Sequence, residues 1–115
     1  MATSQSTVDY IVDQLAPLGV VARKMFGEYA LYVEGKVVAL VCNDILYVKI
    51  TEPGKMFVGK EYLEGFPYPG AKAAIRVAPE QLEDDEWLSE LIQITAENLP
   101  LPKQKGALKN KASKK

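Results

Sequence analysis

The sequence predicts an α+β fold in which an antiparallel sheet of about five strands is covered by helices from the two ends of the chain. Near both ends, apolar residues recur at intervals of three and four, as on one face of a helix. Between them, residues 20–50 alternate with a period of two and contain two short turn sequences. Helices that flank a strand meander favour a sheet with one helix-covered face.

The length and composition fit a single small domain. The chain has 115 residues, of which 48% are hydrophobic and 25% are charged. No apolar run approaches the roughly 20 residues that cross a bilayer, and residues 103–115 lack the apolar stripe of a membrane-surface helix, so we expect no membrane partner. Residues 1–7 are polar and lack the layout of a secretion signal. With a single cysteine, this pattern predicts a protein of the reducing cytoplasm.

The first predicted element is a helix over residues 7–18. Its apolar residues repeat at helical spacing, and Ser6 is the expected N-cap. Pro17 and Gly19 are expected to end the helix.

The next segment predicts four strands, over residues 20–26, 28–33, 36–42 and 45–50. Glu34-Gly35 is a two-residue hairpin turn, and Asn43-Asp44 suits a type I′ turn because both residues tolerate positive φ. The last three strands therefore form an antiparallel meander.

The rest of the domain carries a weaker pattern. We expect a short helix over residues 54–63 with Met56, Phe57 and Leu63 facing inward, a rigid aromatic loop over 66–70, and a last strand over 73–78. Pro79 opens a helical region whose main part is capped by Asp84. Its predicted apolar stripe consists of Leu82, Leu88, Leu91, Ile92, Ala96 and Leu99.

Several kinds of chemistry are disfavoured by the residues present. The chain has no histidine, which excludes Ser-His-Asp and Cys-His catalysis. Cys42 lies in an apolar strand and is interpreted as a small core residue rather than a redox group. The acidic run 83–86 could hold a divalent cation, but the solvated start of a helix is the preferred interpretation. We therefore predict no catalytic residue, no metal ligand set and no cofactor, and a protein that is not an enzyme.

A group of apolar and aromatic side chains has two possible interpretations. Aromatic residues at strand spacing usually belong to the core, but they can also line a ligand pocket. Pocket formation would make the protein a small-ligand-binding module. The candidate pocket residues are Met25, Phe26, Tyr29, Tyr47, Phe66 and Tyr68.

The charges divide the chain at Pro102. Residues 1–102 hold eight basic and all fifteen acidic residues, a balance of −7. Residues 103–115 are predicted to form a disordered tail, because they carry six lysines, no acid and one large apolar residue. Lysines attract phosphate without reading sequence, so weak, non-specific nucleic-acid binding through this tail is an alternative function. The candidate contacts are Lys103, Lys105, Lys109, Lys111, Lys114 and Lys115.

Short motifs distributed over residues 7–99 resemble the TfoX N-terminal domain family. The most specific is Met25-Phe26-Gly27-Glu28-Tyr29, followed by a strand that ends in Glu34-Gly35. The strand 46–49, the loop 66–68 and the segment 76–80 match the family pattern in order and spacing. Glu28 and Ala30 depart from the pattern, which has glycines at these two positions.

The resemblance implies a bacterial regulatory domain without catalytic residues, similar to the N-terminal domain of a regulator of competence genes. It also implies a sheet backed by helices. The expected partner is a protein of the transcription apparatus, and the domain itself is expected to be a monomer or a homodimer. The expected primary function is therefore non-enzymatic protein interaction in regulation.

Overall fold

A computed structural model of the protein describes residues 3–25 and 28–99. It contains a six-stranded antiparallel sheet with its helices on one face, which confirms the predicted α+β class. The strand order is β1-β2-β3-β4-β6-β5. The helices are α1 (Gln5–Gln14), α2 (Glu52–Val58), α3 (Pro79–Leu82) and α4 (Asp85–Asn98), and the strands are β1 (Val21–Met25), β2 (Glu28–Val33), β3 (Lys36–Cys42), β4 (Ile45–Val48), β5 (Glu64–Gly65) and β6 (Ala74–Arg76).

The first helix begins earlier than its sequence pattern indicated. Ser4, not Ser6, is the N-cap, and its hydroxyl accepts the backbone N–H of Thr7. Ser4 is itself held by Asp44, whose Oδ1 accepts the Ser4 backbone N–H at 2.9 Å. Ser4 and Ser6 are the same residue type, so the N-cap preference does not choose between them, and the contact with Asp44 is present only at Ser4. The helix ends before Pro17, and a 3₁₀ turn over Ala16–Leu18 leads to β1.

The meander follows the prediction closely. Both central residues of the first hairpin turn have positive φ, 51° at Glu34 and 81° at Gly35. Asn43 and Asp44 have φ values of 53° and 63°, as a type I′ turn requires. The bounds of β2 and β3 agree with the predicted ranges, and β4 ends two residues early, at Val48. β1 begins at Val21 instead of residue 20, and the predicted residue 26 lies outside the described residues.

The segment after the meander differs most from the prediction. The expectation that Met56 and Leu63 face inward is wrong, since they are 79% and 53% exposed. The buried residues of α2 are Gly54 and Val58, and Phe57 packs at the border of the core against Trp87, with a ring centroid distance of 5.8 Å. The sheet gains a sixth strand, β5, and the expected last strand over 73–78 is reduced to β6.

The core lies between the helices and one face of the sheet. Asp84 is the N-cap of α4, as predicted, and its carboxylate accepts the Trp87 N–H at 3.1 Å. Leu82 and Leu99 are only partly buried at the border of the core. The rest of the predicted stripe is buried against the sheet: Leu88, Leu91, Ile92 and Ala96.

No helix in the described residues is both long and apolar enough to cross a membrane.

Candidate functional site

The sheet has a second face, opposite the helices, that is also apolar at its centre. The register places Leu40 opposite Ala30 on one side and opposite Tyr47 on the other, so all three share this face. Cys42, Tyr47 and Ala74 form a buried cluster there, separate from the main core. Successive residues of a strand point to opposite faces, and a sheet with buried apolar residues on both faces needs a covering layer on each side.

The covering layer on this side is the loop 66–73, and we call the surface the loop face. Pro67 is buried, whereas Phe66 and Tyr68 are 63% and 53% exposed. Ala71 donates its backbone N–H to the carbonyl of Tyr68 at 3.0 Å, which closes a turn within the loop. Among the hydrogen bonds of the described residues, none joins this loop to the sheet. The loop is therefore held on the loop face by apolar packing.

Two cavities lie on either side of Tyr68. The larger has a volume of about 650 Å³ and runs between the loop and the sheet, with Leu40, Tyr47 and Lys49 in its wall. The smaller, of about 430 Å³, is lined by Met25, Glu28, Tyr29, Leu40, Cys42 and Tyr68. Leu40 and Tyr68 border both, so the two cavities form one interrupted groove across the loop face. Its wall is largely aliphatic and aromatic, which suits the burial of apolar groups.

The structure brings together most of the predicted pocket residues. Met25, Tyr29 and Tyr68 line the smaller cavity, and Tyr47 and Tyr68 line the larger one. Tyr29 also belongs to the helix-side core, where its hydroxyl donates to Gln5 Oε1 at 2.8 Å. Phe66 lines neither cavity. Phe26 lies outside the described residues.

The sequence analysis did not single out Leu40, Lys49 or Lys72 as site residues, although all three line the larger cavity. Leu40 lies in β3, whose residues are apolar on both faces, so its own strand does not show which face it lies on. The alternation around Tyr47 in the neighbouring strand β4 is the signal that could have assigned Leu40 to a face. Lys72 belongs to the loop, whose position over the sheet no local pattern indicates.

Glu28 is the acidic residue in the wall of the smaller cavity. Its Oε1 accepts hydrogen bonds from the hydroxyl of Thr3 and from the backbone N–H of Asn43, the latter at 3.2 Å. The Thr3 hydroxyl oxygen also lies 3.1 Å from the carbonyl oxygen of Val41, which is a second acceptor for its single proton. Glu28 therefore joins the segment before α1 to the end of the β3–β4 hairpin, which gives its carboxylate a structural role.

Cys42 is the thiol of this site and is 3% exposed. Its burial raises the pKa of the thiol, and the nearby Glu28 carboxylate raises it further. A raised pKa keeps the sulfur protonated and weakly nucleophilic near neutral pH. The site therefore offers a small apolar side chain rather than a reactive thiolate.

We expect Cys42→Ser to lower the free energy of unfolding by on the order of 1 kcal/mol or more, because a hydroxyl would be buried among apolar groups. Cys42→Ala is expected to fold and to keep partner binding. Urea denaturation of both variants and of the wild type checks the prediction. A Cys42→Ala protein with native stability and no partner binding would show that the sulfur has a functional role.

The remaining candidate groups lie away from the loop face or outside the described residues. Asp84 of the acidic run caps α4, as described above. The six lysines at 103–115 lie outside the described residues, and the predicted nucleic-acid contact through them stays a prediction.

Comparison with known proteins places this architecture in a family. The family model of the TfoX N-terminal domain matches residues 13–99, which include every strand of the sheet and α2 to α4. The chain belongs to the TfoX N-terminal domain family. The resemblance suggested by the motifs around Met25 and Tyr47 is thereby confirmed.

The chain is also similar to a spirochaete protein of the same mass. The chain is 42% identical over 108 residues to a protein of Spirochaeta aurantia described as an uncharacterized 12.7 kDa protein in the trpE 5′ region. The alignment covers 93% of this chain and 92% of that protein. The two proteins are therefore similar over almost their whole lengths.

Proposed function

We propose that this TfoX N-terminal domain protein is a non-enzymatic interaction module in the cytoplasm that regulates transcription by binding a protein partner on its loop face. The observation that carries the proposal is the groove beside Tyr68. Tyr68 exposes its aromatic ring at the border of both cavities, Phe66 is exposed two residues before it in the same loop, and the two cavities leave room for side chains from another molecule. Exposed aromatic residues around apolar pockets are typical of protein-binding surfaces.

The loop face supports binding better than catalysis. Leu40 is partly exposed at its centre and offers apolar contact area, while Tyr47 and Ala74 are buried beside it and Cys42 is buried with a raised thiol pKa. Glu28 is engaged by two hydrogen-bond donors of the fold itself. A nucleophile paired with a base, which covalent catalysis needs, is not found among the described residues that line the two cavities.

Site-directed photocrosslinking tests the proposal. A photoreactive phenylalanine analogue at position 66 or 68 is expected to capture one partner protein in cells, and the same analogue at Met56 should not. Met56 is the matched control because it is 79% exposed but lies on α2, in the helical layer. The captured protein is then purified, and its affinity for the wild type and for Tyr68→Ala is measured.

We expect Tyr68→Ala to weaken that affinity by at least about tenfold, which corresponds to about 1.4 kcal/mol. Tyr68 is half exposed at the loop tip, so its truncation should leave the melting temperature nearly unchanged. Equal crosslinking from positions 56 and 68, or an unchanged affinity of Tyr68→Ala, would contradict a partner site on the loop face.

A further inference from the structure

The sheet separates the charges of the domain into two layers. Ten of the fifteen acidic residues lie on the four helices or at their caps, on the side of the main core. They are Asp9, Asp13, Glu52, Glu80, Glu83, Asp84, Asp85, Glu86, Glu90 and Glu97. The helical layer therefore carries most of the negative charge that gives residues 1–102 their balance of −7.

The loop face has the opposite sign. Arg23 is paired with Ala30 and Arg76 with Tyr47, which places both cations on this face. Lys49 and Lys72 line the larger cavity. All four residues are exposed, and the acidic residue among the cavity-lining residues described above is Glu28, which is already hydrogen-bonded to Thr3 and Asn43. The loop face thus presents four cations around an apolar centre.

These cations are available to a partner. Arg23 lies over the ring of Tyr32, with its guanidinium carbon 5.7 Å from the ring centroid, a contact that leaves its N–H groups free to bind an anion. The stem of Arg76 packs beside Tyr47 over Gly65. Within residues 3–25 and 28–99, the side-chain hydrogen bonds use none of the nitrogens of Arg23, Lys49, Lys72 or Arg76.

We infer that the partner segment bound on the loop face is acidic and carries apolar side chains that enter the two cavities, an inference that rests on the proposed function. The apolar groups fill the spaces beside Tyr68, and the carboxylates of the segment meet Lys49, Lys72 and the two arginines. Electrostatic complementarity of this kind selects the partner and raises the association rate.

A second copy of the chain fits the loop face less well. A twofold contact between two loop faces places the same patch on both subunits, so the four cations would face four cations. A contact between the loop face of one copy and the acidic helical layer of a second copy is complementary in charge. Such a head-to-tail contact forms a closed ring only if the rotation between successive copies brings the last copy back to the first, and otherwise it forms an open filament. We therefore assign the face to a different protein.

A nucleic acid is also a poorer occupant. Single strands bind by stacking successive bases on a row of open aromatic rings, whereas among the residues that line the two cavities Tyr68 alone has an exposed ring, since Tyr29 is buried and the ring of Tyr47 is buried against β5 and β6. A long polyanion would also extend beyond the loop face into the field of the acidic helical layer. A short acidic segment can contact the four cations without extending beyond the loop face.

The probe is a fluorescein-labelled peptide of about 12 residues built from Glu-Asp-Phe and Glu-Asp-Leu triplets. Two control peptides replace its acids with Gln and Asn, or with Lys and Arg. Fluorescence anisotropy at about 50 mM and about 300 mM salt is measured with the full chain. We expect the acidic peptide to bind at least about tenfold more tightly than either control, and its affinity to fall at the higher salt, which screens exposed charges.

Two charge-reversal variants locate the binding. Lys49→Glu with Arg76→Glu is expected to weaken binding of the acidic peptide by at least about tenfold. Lys55→Glu with Lys60→Glu changes the net charge equally but lies on α2 and the turn after it, and should alter binding by less than about twofold. Circular dichroism and thermal melting confirm that both variants fold.

Four outcomes would overturn the inference. In the peptide experiments they are binding of the basic or amide peptide as tightly as the acidic one, equal losses of affinity in the two variants, and displacement of the peptide by a 12-mer of deoxythymidine that binds more tightly at the same site. The fourth is a partner, crosslinked from positions 66 and 68, that presents a basic segment. The last outcome would leave the proposed function standing. Absence of any crosslinked partner would remove the proposed function together with the inference.

Discussion

Replacing Leu91 with alanine is expected to lower the free energy of unfolding by about 2–5 kcal/mol, the range for a buried leucine whose neighbours relax incompletely. Leu91 lies on α4, is fully buried, and belongs to the main core between helices and sheet. It also lies under α2, since a Cβ added at Gly54 would be 3.5 Å from Leu91 Cδ1. Truncation therefore leaves a cavity where α2, α4 and the sheet meet.

Urea denaturation followed by circular dichroism measures this loss. The control is Glu90→Ala, one residue away on the exposed side of the same helix, for which we expect a change within about 0.5 kcal/mol. A loss below about 1 kcal/mol for Leu91→Ala would indicate that α4 contributes little to the core.

Leu91 also illustrates what could be predicted from the sequence. The spacing of Leu88, Leu91, Ile92 and Ala96 places them on one side of a helix, and these residues are buried. The hairpin turn at Asn43-Asp44 was equally accessible, because positive φ at two successive residues suits few residue types. Both features depend on residues that are close together in the chain, and such local patterns can be recognised in a single sequence.

The errors fall where contacts distant in sequence decide the structure. A two-residue strand such as β5 has no periodicity, and it forms because it pairs with β6, with the Arg76 N–H donating to the Leu63 carbonyl at 2.9 Å. The seven residues of α2 span only two turns, too few for the apolar Met56 to indicate the buried side. The inward position belongs to Gly54, because Thr51 and Leu91 leave little room for a side chain.

The candidate site could be predicted only in part, because it too depends on contacts between residues distant in sequence. Met25, Tyr47 and Tyr68 could be recognised as candidate lining residues, but only the path of the loop 66–73 brings Tyr68 to Leu40. The net charge of residues 1–102 could not show that the two sides of the sheet differ in charge, because it does not say where each charged residue lies in the fold. The register was needed to place Arg23 and Arg76 on the loop face.

The second large effect is expected at Gly65, where alanine should lower the free energy of unfolding by about 1–3 kcal/mol through overpacking. A Cβ at this position would lie 2.9 Å from Tyr47 Cε1. Gly65 is not among the positive-φ glycines of the described residues, so backbone strain adds nothing to this cost. Tyr47 is buried, and its ring must therefore move toward the larger cavity, which should also weaken binding of the acidic peptide.

A double-mutant cycle with Tyr47→Leu tests whether the ring is the cause. If it is, Gly65→Ala costs less in the Tyr47→Leu background, with an interaction energy of about 0.5–3 kcal/mol between the two sites. The control is Gly59→Ala, because Gly59 has a φ of +61° and no atom within 4 Å of an added Cβ. Its cost arises from the backbone alone, so it should be the same with Tyr47 or Leu at position 47. If Gly65→Ala is instead additive with Tyr47→Leu, then the ring of Tyr47 does not pack over β5, and the wall of the larger cavity must be arranged differently.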